Sequence, residues 1–382
     1  MAAFVMLSER TTGKVAEASA AENSLLNEGF PSQQTLRLPI LADAVDVWYA
    51  YHYPNLCDLF EPLLNRTFPS WTTWFASRFS FVRGCLFFLM ARKYSFVLTT
   101  TVSSASKTYL FLEALFGIPR KNLIFIEFIQ QGKPDSRSIL KRLVYHAWIC
   151  WILKPVLKKS LLVAHVLTEG ERSQYGDLFE VPKERFVFIP WPKRRTQDRW
   201  PEVKSEASEP CVVSSGREAC DWETIFKAAE GQGWHLKIIC SRRDFPKVQR
   251  LNANSVAQVL CEIPREDHER EVQRAALYVL CLLERERSSG HVRISDVTRA
   301  GTPIVATAVK GIEGYIDHGE TGLLVPPGDV LLLRAAVNRL LSDVPLRRTL
   351  ARNAFDQAAK HTREDYMQQV DLLVRRAAES QN

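Results

Sequence analysis

Ser288-Ser289-Gly290 follows a short apolar run, 277–283, and precedes a segment in which Val292, Ile294 and Val297 fall on one helical side. A strand, a small polar loop and a helix start, in that order, present backbone N–H groups and the positive end of a helix dipole. That arrangement suits a phosphate. Gly301 stops the predicted helix, and the apolar residues 303–307 predict a second buried strand. Strand, helix and strand within about 30 residues make one right-handed unit of a parallel sheet. Beyond it, the stretch to Asp329 predicts a second helix and a third strand. Thr11-Thr12-Gly13-Lys14 also looks like a phosphate loop, but it lacks the upstream glycine such a loop needs.

Two titratable residues join these as candidates. Glu127 stands at the C-terminal end of a predicted strand, 123–126, where ligands bind in open α/β sheets. His165 lies within the apolar strand 161–167. Each could move a proton. Each also has a plainer reading, a solvated or ion-paired carboxylate and a hydrogen-bonded core imidazole. No His/Cys/Asp/Glu cluster with metal-ligand spacing is present, so no metal is expected.

These residues need a frame to hold them. At 382 residues, with 46% hydrophobic and 24% charged residues, the chain is globular and long enough for two domains. Strands alternate with helices up to about residue 191. Residues 192–210, rich in Pro and charge, read as a linker. The alternation then restarts at the strand 211–214 and continues to a final helix at 363–378. The expected domains are 1–191, 211–360 and a terminal helix 361–382 packing back on the first domain. A helix over 138–153 is expected to bend or end at Pro155. The eight scattered Cys predict buried thiols in a reducing compartment. No secretory leader and no run of ~18 charge-free apolar residues is seen, so a cytoplasmic protein is expected.

The net charge of +7 lies wholly in the first half. Residues 62–112 contain no Asp or Glu but hold Arg66, Arg78, Arg83, Arg92, Lys93 and Lys107. Residues 136–168 also lack acids. Both stretches interleave cations with aromatic residues, Trp and Phe in the first and Tyr and Trp in the second, a composition suited to peripheral contact with an anionic membrane. No nucleic-acid recognition motif accompanies the charge, and no GxGxxG follows a predicted strand, which removes a nicotinamide-dependent oxidoreductase.

From Ala300 to Asp329 the string AGTPIVAT, followed by DHGETGLLVPPGD, resembles the second domain of the retaining GT-B glycosyltransferases of family 4. Residues 181–190 are similar to the segment closing the first domain of such enzymes, and Gly216-Arg217 to the start of their second. The resemblance covers residues ~160–380, and the first part of the chain follows only in architecture. It implies two Rossmann-like domains facing across a cleft. It further implies a nucleoside-diphosphate sugar bound mainly by the second domain, and hexosyl transfer with retention to a glycan or lipid-linked acceptor. No cofactor is implied beyond that substrate. Gly216, Arg217, Arg242, Ser288, Ser289, Gly290, Asp296 and Gly311 are the implied donor-binding residues, with Arg217, Glu127 and His165 as catalytic candidates. The chain departs from the family at Ser288, where a glutamate is usual, at Asp296, which shortens a second glutamate, and at Trp222, which replaces a lysine. Those departures motivate an alternative, a non-catalytic scaffold or regulatory subunit. A GT-B epimerase or phosphorylase is the less favoured option.

Overall fold

The computed structural model describes residues 40–42, 61–63, 69–101, 103–130, 138–192, 211–285 and 288–380. The early strand and helix expected over 3–7 and 15–26, the apolar run 45–51 and most of the linker lie outside them.

The first part contains β1 (Ile40–Ala42), β2 (Glu61–Pro62), α1 (Ser70–Arg78), α2 (Ser80–Ala91), β3 (Phe96–Thr99), α3 (Ser104–Phe116), β4 (Leu123–Phe125), α4 (Ile139–Ala147), α5 (Lys154–Ser160), β5 (Leu161–Val166), α6 (Glu169–Phe179) and β6 (Phe186–Phe188). Its strands pair in the order β2-β1-β3-β4-β5-β6, all parallel. Strands β1, β4 and β6 are wholly apolar, as suits a sheet covered by helices on both faces. One face packs Phe87, Tyr109, Leu153 and Leu157 over Leu123 and Phe125. The other receives the last helix of the chain.

The second part contains β7 (Cys211–Gly216), α7 (Trp222–Ala229), β8 (His235–Cys240), α8 (Phe245–Leu251), β9 (Ala257–Cys261), α9 (Arg265–Arg274), β10 (Leu277–Leu280), α10 (His291–Arg299), β11 (Ile304–Thr307), β12 (Leu323–Val325), α11 (Val330–Ser342), α12 (Val344–Ala359) and α13 (Arg363–Glu379). The sheet order is β12-β11-β10-β7-β8-β9, again all parallel. The strand order turns between β10 and β7, which is where such sheets open a crevice. Helix α13 returns to the first sheet, burying Tyr366, Val370 and Val374 against Ile40, Phe96 and Ile124. Two Rossmann-like α/β domains result. Among the described residues no helix is long and apolar enough to cross a membrane.

Two local expectations need correction. Pro155 neither ends nor sharply breaks its helix: α4 runs into a π-helical segment, Trp148–Leu153, and on into α5, whose first turn holds the proline. Proline lacks an N–H and its ring crowds the carbonyl four residues back, and the widened π turn absorbs both problems. The helix expected between β11 and β12 is a single 3-10 turn, Lys310–Ile312. Glycines at 311 and 314 leave too little helix propensity for more.

Candidate functional site at the strand-order reversal

Gly216 ends β7, and the chain then crosses the C-terminal end of β10. Asp221 N–H donates to Cys281 O at 2.9 Å, and Leu283 N–H to Ala219 O at 2.7 Å. This loop passes so close that a Cβ on Gly216 would stand 2.1 Å from Cys220 Sγ. Only glycine fits. Asp221 caps α7 by accepting from Thr224 N–H at 3.1 Å and Thr224 Oγ1–H at 2.6 Å. Trp222 at once turns inward, buried and tied through Nε1 to Asp244 Oδ2 at 3.1 Å. It is core, far in chemistry from the lysine it replaces.

Arg217 is exposed, and among the described residues its guanidinium has no hydrogen bond or ion pair, while its carbonyl accepts from Arg243 Nη2 at 2.6 Å. Arg242 points elsewhere, paired through Nε with Glu262 at 2.9 Å. Arg243 is likewise committed, to Glu218 and Asp244. Arg293 stands on the first turn of α10. Burial first, and then the nearby charges of Arg293 and Arg217, push the His268 imidazole down to about 4. The charge of Arg265 adds to theirs, and Glu269 opposes them. His268 stays neutral, its Nε2 2.8 Å from Ser215 Oγ.

The Ser288-Ser289-Gly290 loop sits at the N-terminus of α10. Gly290 takes φ +94°, and a Cβ on it would lie 2.8 Å from Leu282 and 3.1 Å from Leu280. Its backbone therefore needs glycine twice over, for conformation and for space. The first bond of the helix runs from Ile294 N–H to Gly290 O at 2.9 Å. Amides from Gly290 to Arg293 thus have no intrahelical acceptor and can meet an anion. Ser289 N–H is already spent on Gly311 O at 3.1 Å. Ser288 N–H is spent on Glu171 Oε1, from the first domain, at 2.9 Å. Asp296, one turn into α10, pairs with Arg293 at 3.4 Å. Burial raises its carboxyl, while Arg293 and Arg299 pull it down.

Glu171 is the residue that sequence reasoning passed over. Its Oε1 also accepts from Tyr175 O–H at 2.9 Å, and its Oε2 from Leu167 and Thr168 N–H at 3.0 and 3.2 Å. The signal was available: Thr168 and Glu171 have the spacing of a capping box at the start of α6. Burial raises its pKa, and the Ser288, Tyr175 and Leu167 donors lower it. Tyr315 makes a second tie between domains, donating to Leu167 O at 2.7 Å and accepting from Trp191 N–H at 2.9 Å. Trp191 and His291 rings lie 5.6 Å apart beside it.

In the first domain, His165 is fully buried and its Nδ1 accepts from Glu127 N–H at 3.2 Å. Its Nε2 must then carry the proton, which faces Ile189 O at 3.0 Å. Burial holds it near 4, so the neutral ring ties the ends of β4 and β6 together. Glu127 follows β4 at φ +52°, unusual for a residue with a side chain. Burial pushes its carboxyl up to about 7, partly offset by the influence of the Tyr366 hydroxyl of α13. Among the described residues its buried Oε1 has no hydrogen-bond partner. The structure thus gathers Gly216, Arg217, Ser288, Ser289, Gly290, Asp296 and Gly311 around the end of β7 and α10. It pairs Glu127 with His165 in the other domain and leaves Arg242 on a separate ion pair.

Residues 221–343 match the family described as Glycosyl transferases group 1. In sequence, the chain is 33% identical over 119 residues to a D-inositol 3-phosphate glycosyltransferase of Stackebrandtia nassauensis, covering 30% of this chain and 27% of that protein. It is 30% identical over 146 residues to an exopolysaccharide phosphotransferase of Streptomyces coelicolor, covering 37% of this chain and 15% of that one. The matched part is therefore a small share of these relatives. In structure, it resembles the sucrose-phosphate synthase of Thermosynechococcus elongatus with a TM-score of 0.59 at 22% identity, covering 78% of each chain. It also resembles Anabaena HepE in complex with UDP, at 0.60 and 13%, covering 89% and 99%. These likenesses show the two-domain GT-B fold.

Proposed function

We propose that this chain, whose residues 221–343 form a group 1 glycosyltransferase domain, transfers a hexose from a nucleoside-diphosphate sugar to a glycan or lipid-linked acceptor. The carrying observation is the pair of loops at the strand-order reversal: Gly216 closes β7 with exposed Arg217 next to it, and Gly290 opens α10 with amides that lack intrahelical acceptors. Transfer breaks the bond between the sugar C1 and the diphosphate and forms one to an acceptor oxygen. Charge grows on the departing diphosphate, and preorganised guanidinium and amide donors stabilise it where it develops. Anomeric configuration is retained, and the acceptor proton passes to a phosphate oxygen of the leaving group, directly or by way of a carboxylate. Glu127, protonated about half the time near pH 7, is the first-domain group suited to trade a proton or bind an acceptor hydroxyl. His165 positions its backbone.

The two sequence relatives, a D-inositol 3-phosphate glycosyltransferase and an exopolysaccharide phosphotransferase, support an anionic or polymeric saccharide acceptor. The place of work is the cytoplasmic face of a membrane, contacted peripherally. A screen of nucleotide sugars for hydrolysis and transfer tests the reading. Arg217→Ala is expected to lower turnover at least ~10-fold, about 1.4 kcal/mol of transition-state stabilisation; a folded variant with unchanged kinetics removes Arg217 from the site. Glu171 on the Ser288 amide and Trp222 in the core favour a second reading, a non-catalytic scaffold. A protein that binds no nucleoside diphosphate would decide for it.

A further inference from the structure

Helix α4 buries none of its residues. Ile139, Leu140, Leu143 and Val144 nevertheless repeat at helical spacing, a stripe that a globular helix turns toward a core. Ile139 is 72% and Leu140 69% exposed, with Lys141 and Arg142 exposed between the apolar pairs. Trp151, in the π segment that continues α4, is 74% exposed. On α1, Trp71 is 66% exposed, and Trp74 and Phe75 are exposed with ring centroids 4.9 Å apart. These elements belong to one helical layer over the first sheet: α1 packs on α2, α2 on α3, and α3 on the π segment. Scattered exposed apolar residues are ordinary, but rings and branched chains in this number along one layer are not.

We propose that this layer is a docking surface for an anionic lipid bilayer, with α1 and α4 lying in the interface and their Trp rings at the headgroup level. Charge decides between the occupants. No Asp or Glu occurs in 62–112 or 136–168, while Arg78, Arg83, Lys93, Lys141 and Arg142 lie on these helices and their ends. A second copy of the chain would set cations against cations. A bilayer carrying negative headgroups neutralises them and takes the rings at its apolar boundary. The surface is made of first-domain helices, so it leaves the loops at β7 and α10 outside the contact. The proposal rests on the peripheral-contact part of the functional reading and not on sugar transfer.

Flotation of the full-length protein with phosphatidylcholine vesicles, with and without phosphatidylserine, tests it. Binding is expected to the anionic vesicles and to weaken as salt rises. Lys141→Glu with Arg142→Glu should lower the vesicle affinity at least ~10-fold, and Ile139→Ser with Leu143→Ser should abolish partitioning. Tryptophan emission should shift to the blue on binding, and part of that shift should vanish in Trp151→Phe. Circular dichroism checks the folding of each variant, and the charge-reversed pair keeps the test intact if the serine pair unfolds. No binding to anionic vesicles at low salt overturns the proposal, as does binding that neither pair changes. A dimer in solution that the serine pair dissociates, with no vesicle binding, overturns it in favour of a second copy. Nucleoside-diphosphate binding measured alongside separates this failure from failure of the transferase reading.

Discussion

Glu171→Ala is expected to destabilise the protein by roughly 3–5 kcal/mol. The carboxylate is buried and accepts from Ser288, Leu167 and Thr168 N–H and from the Tyr175 hydroxyl. Alanine leaves all four donors in a space too enclosed for free hydration, and each unsatisfied buried donor costs about 1–3 kcal/mol before relaxation. Glu171→Gln should cost less, because its carbonyl still accepts while its NH2 meets donors it cannot satisfy. Denaturant unfolding measures both. A loss under ~1 kcal/mol for the alanine variant would mean that water or a shifted loop replaces the carboxylate easily. The same contact bears on function, since Ser288 N–H can serve a diphosphate only after Glu171 lets it go. Removing the carboxylate therefore frees an anion-binding amide while it weakens the protein.

Glu127→Gln should move stability the other way. An ordinary carboxyl titrates near 4.5, and burial places this one at about 7. Between those two pH values the folded protein holds a proton that the unfolded chain has released. Stability consequently falls as pH rises through that window, and above it the buried charge costs about 3 kcal/mol. Glutamine keeps the shape and removes the charge. We expect the variant to be up to ~3 kcal/mol more stable at pH 8 and to lose the pH dependence that this group supplies. Transfer activity should drop at least ~100-fold if the carboxyl trades a proton with substrate. Greater stability with lost turnover is the signature of strain kept for function. A variant less stable at pH 8 would show that the carboxylate has a partner that compensates its burial.

Much of this architecture is legible in the chain because local and tertiary signals agree. The apolar run His235–Cys240 and the helix Trp222–Ala229, capped by Asp221, have the boundaries that periodicity and capping imply. Where a local rule meets a compensating geometry, the reading fails. Pro155 looks like a helix end until the π turn at Trp148–Leu153 is seen to accommodate it. Residues 308–322 look helical in rhythm, but their glycines leave one 3-10 turn. Around the site the limit is of another kind. Ser288-Ser289-Gly290 is recognisable as a loop before a helix, whereas the occupant of the Ser288 amide comes from a residue 117 positions earlier. Arg242 is the cation that the sequence suggests, whereas Arg293 is not singled out by it. The structure ties Arg242 to Glu262 and places Arg293 on the first turn of α10.

The central claim is that the reversal point between β7 and β10 holds a nucleoside diphosphate. Calorimetric titration of the wild-type protein with a panel of nucleoside diphosphates measures this without an acceptor. Saturable one-site binding of at least one of them is predicted, weakened about 10-fold by Arg217→Ala and similarly by Arg293→Ala, each folded by circular dichroism. Absence of binding by every member of the panel, or binding indifferent to both substitutions, would contradict the account.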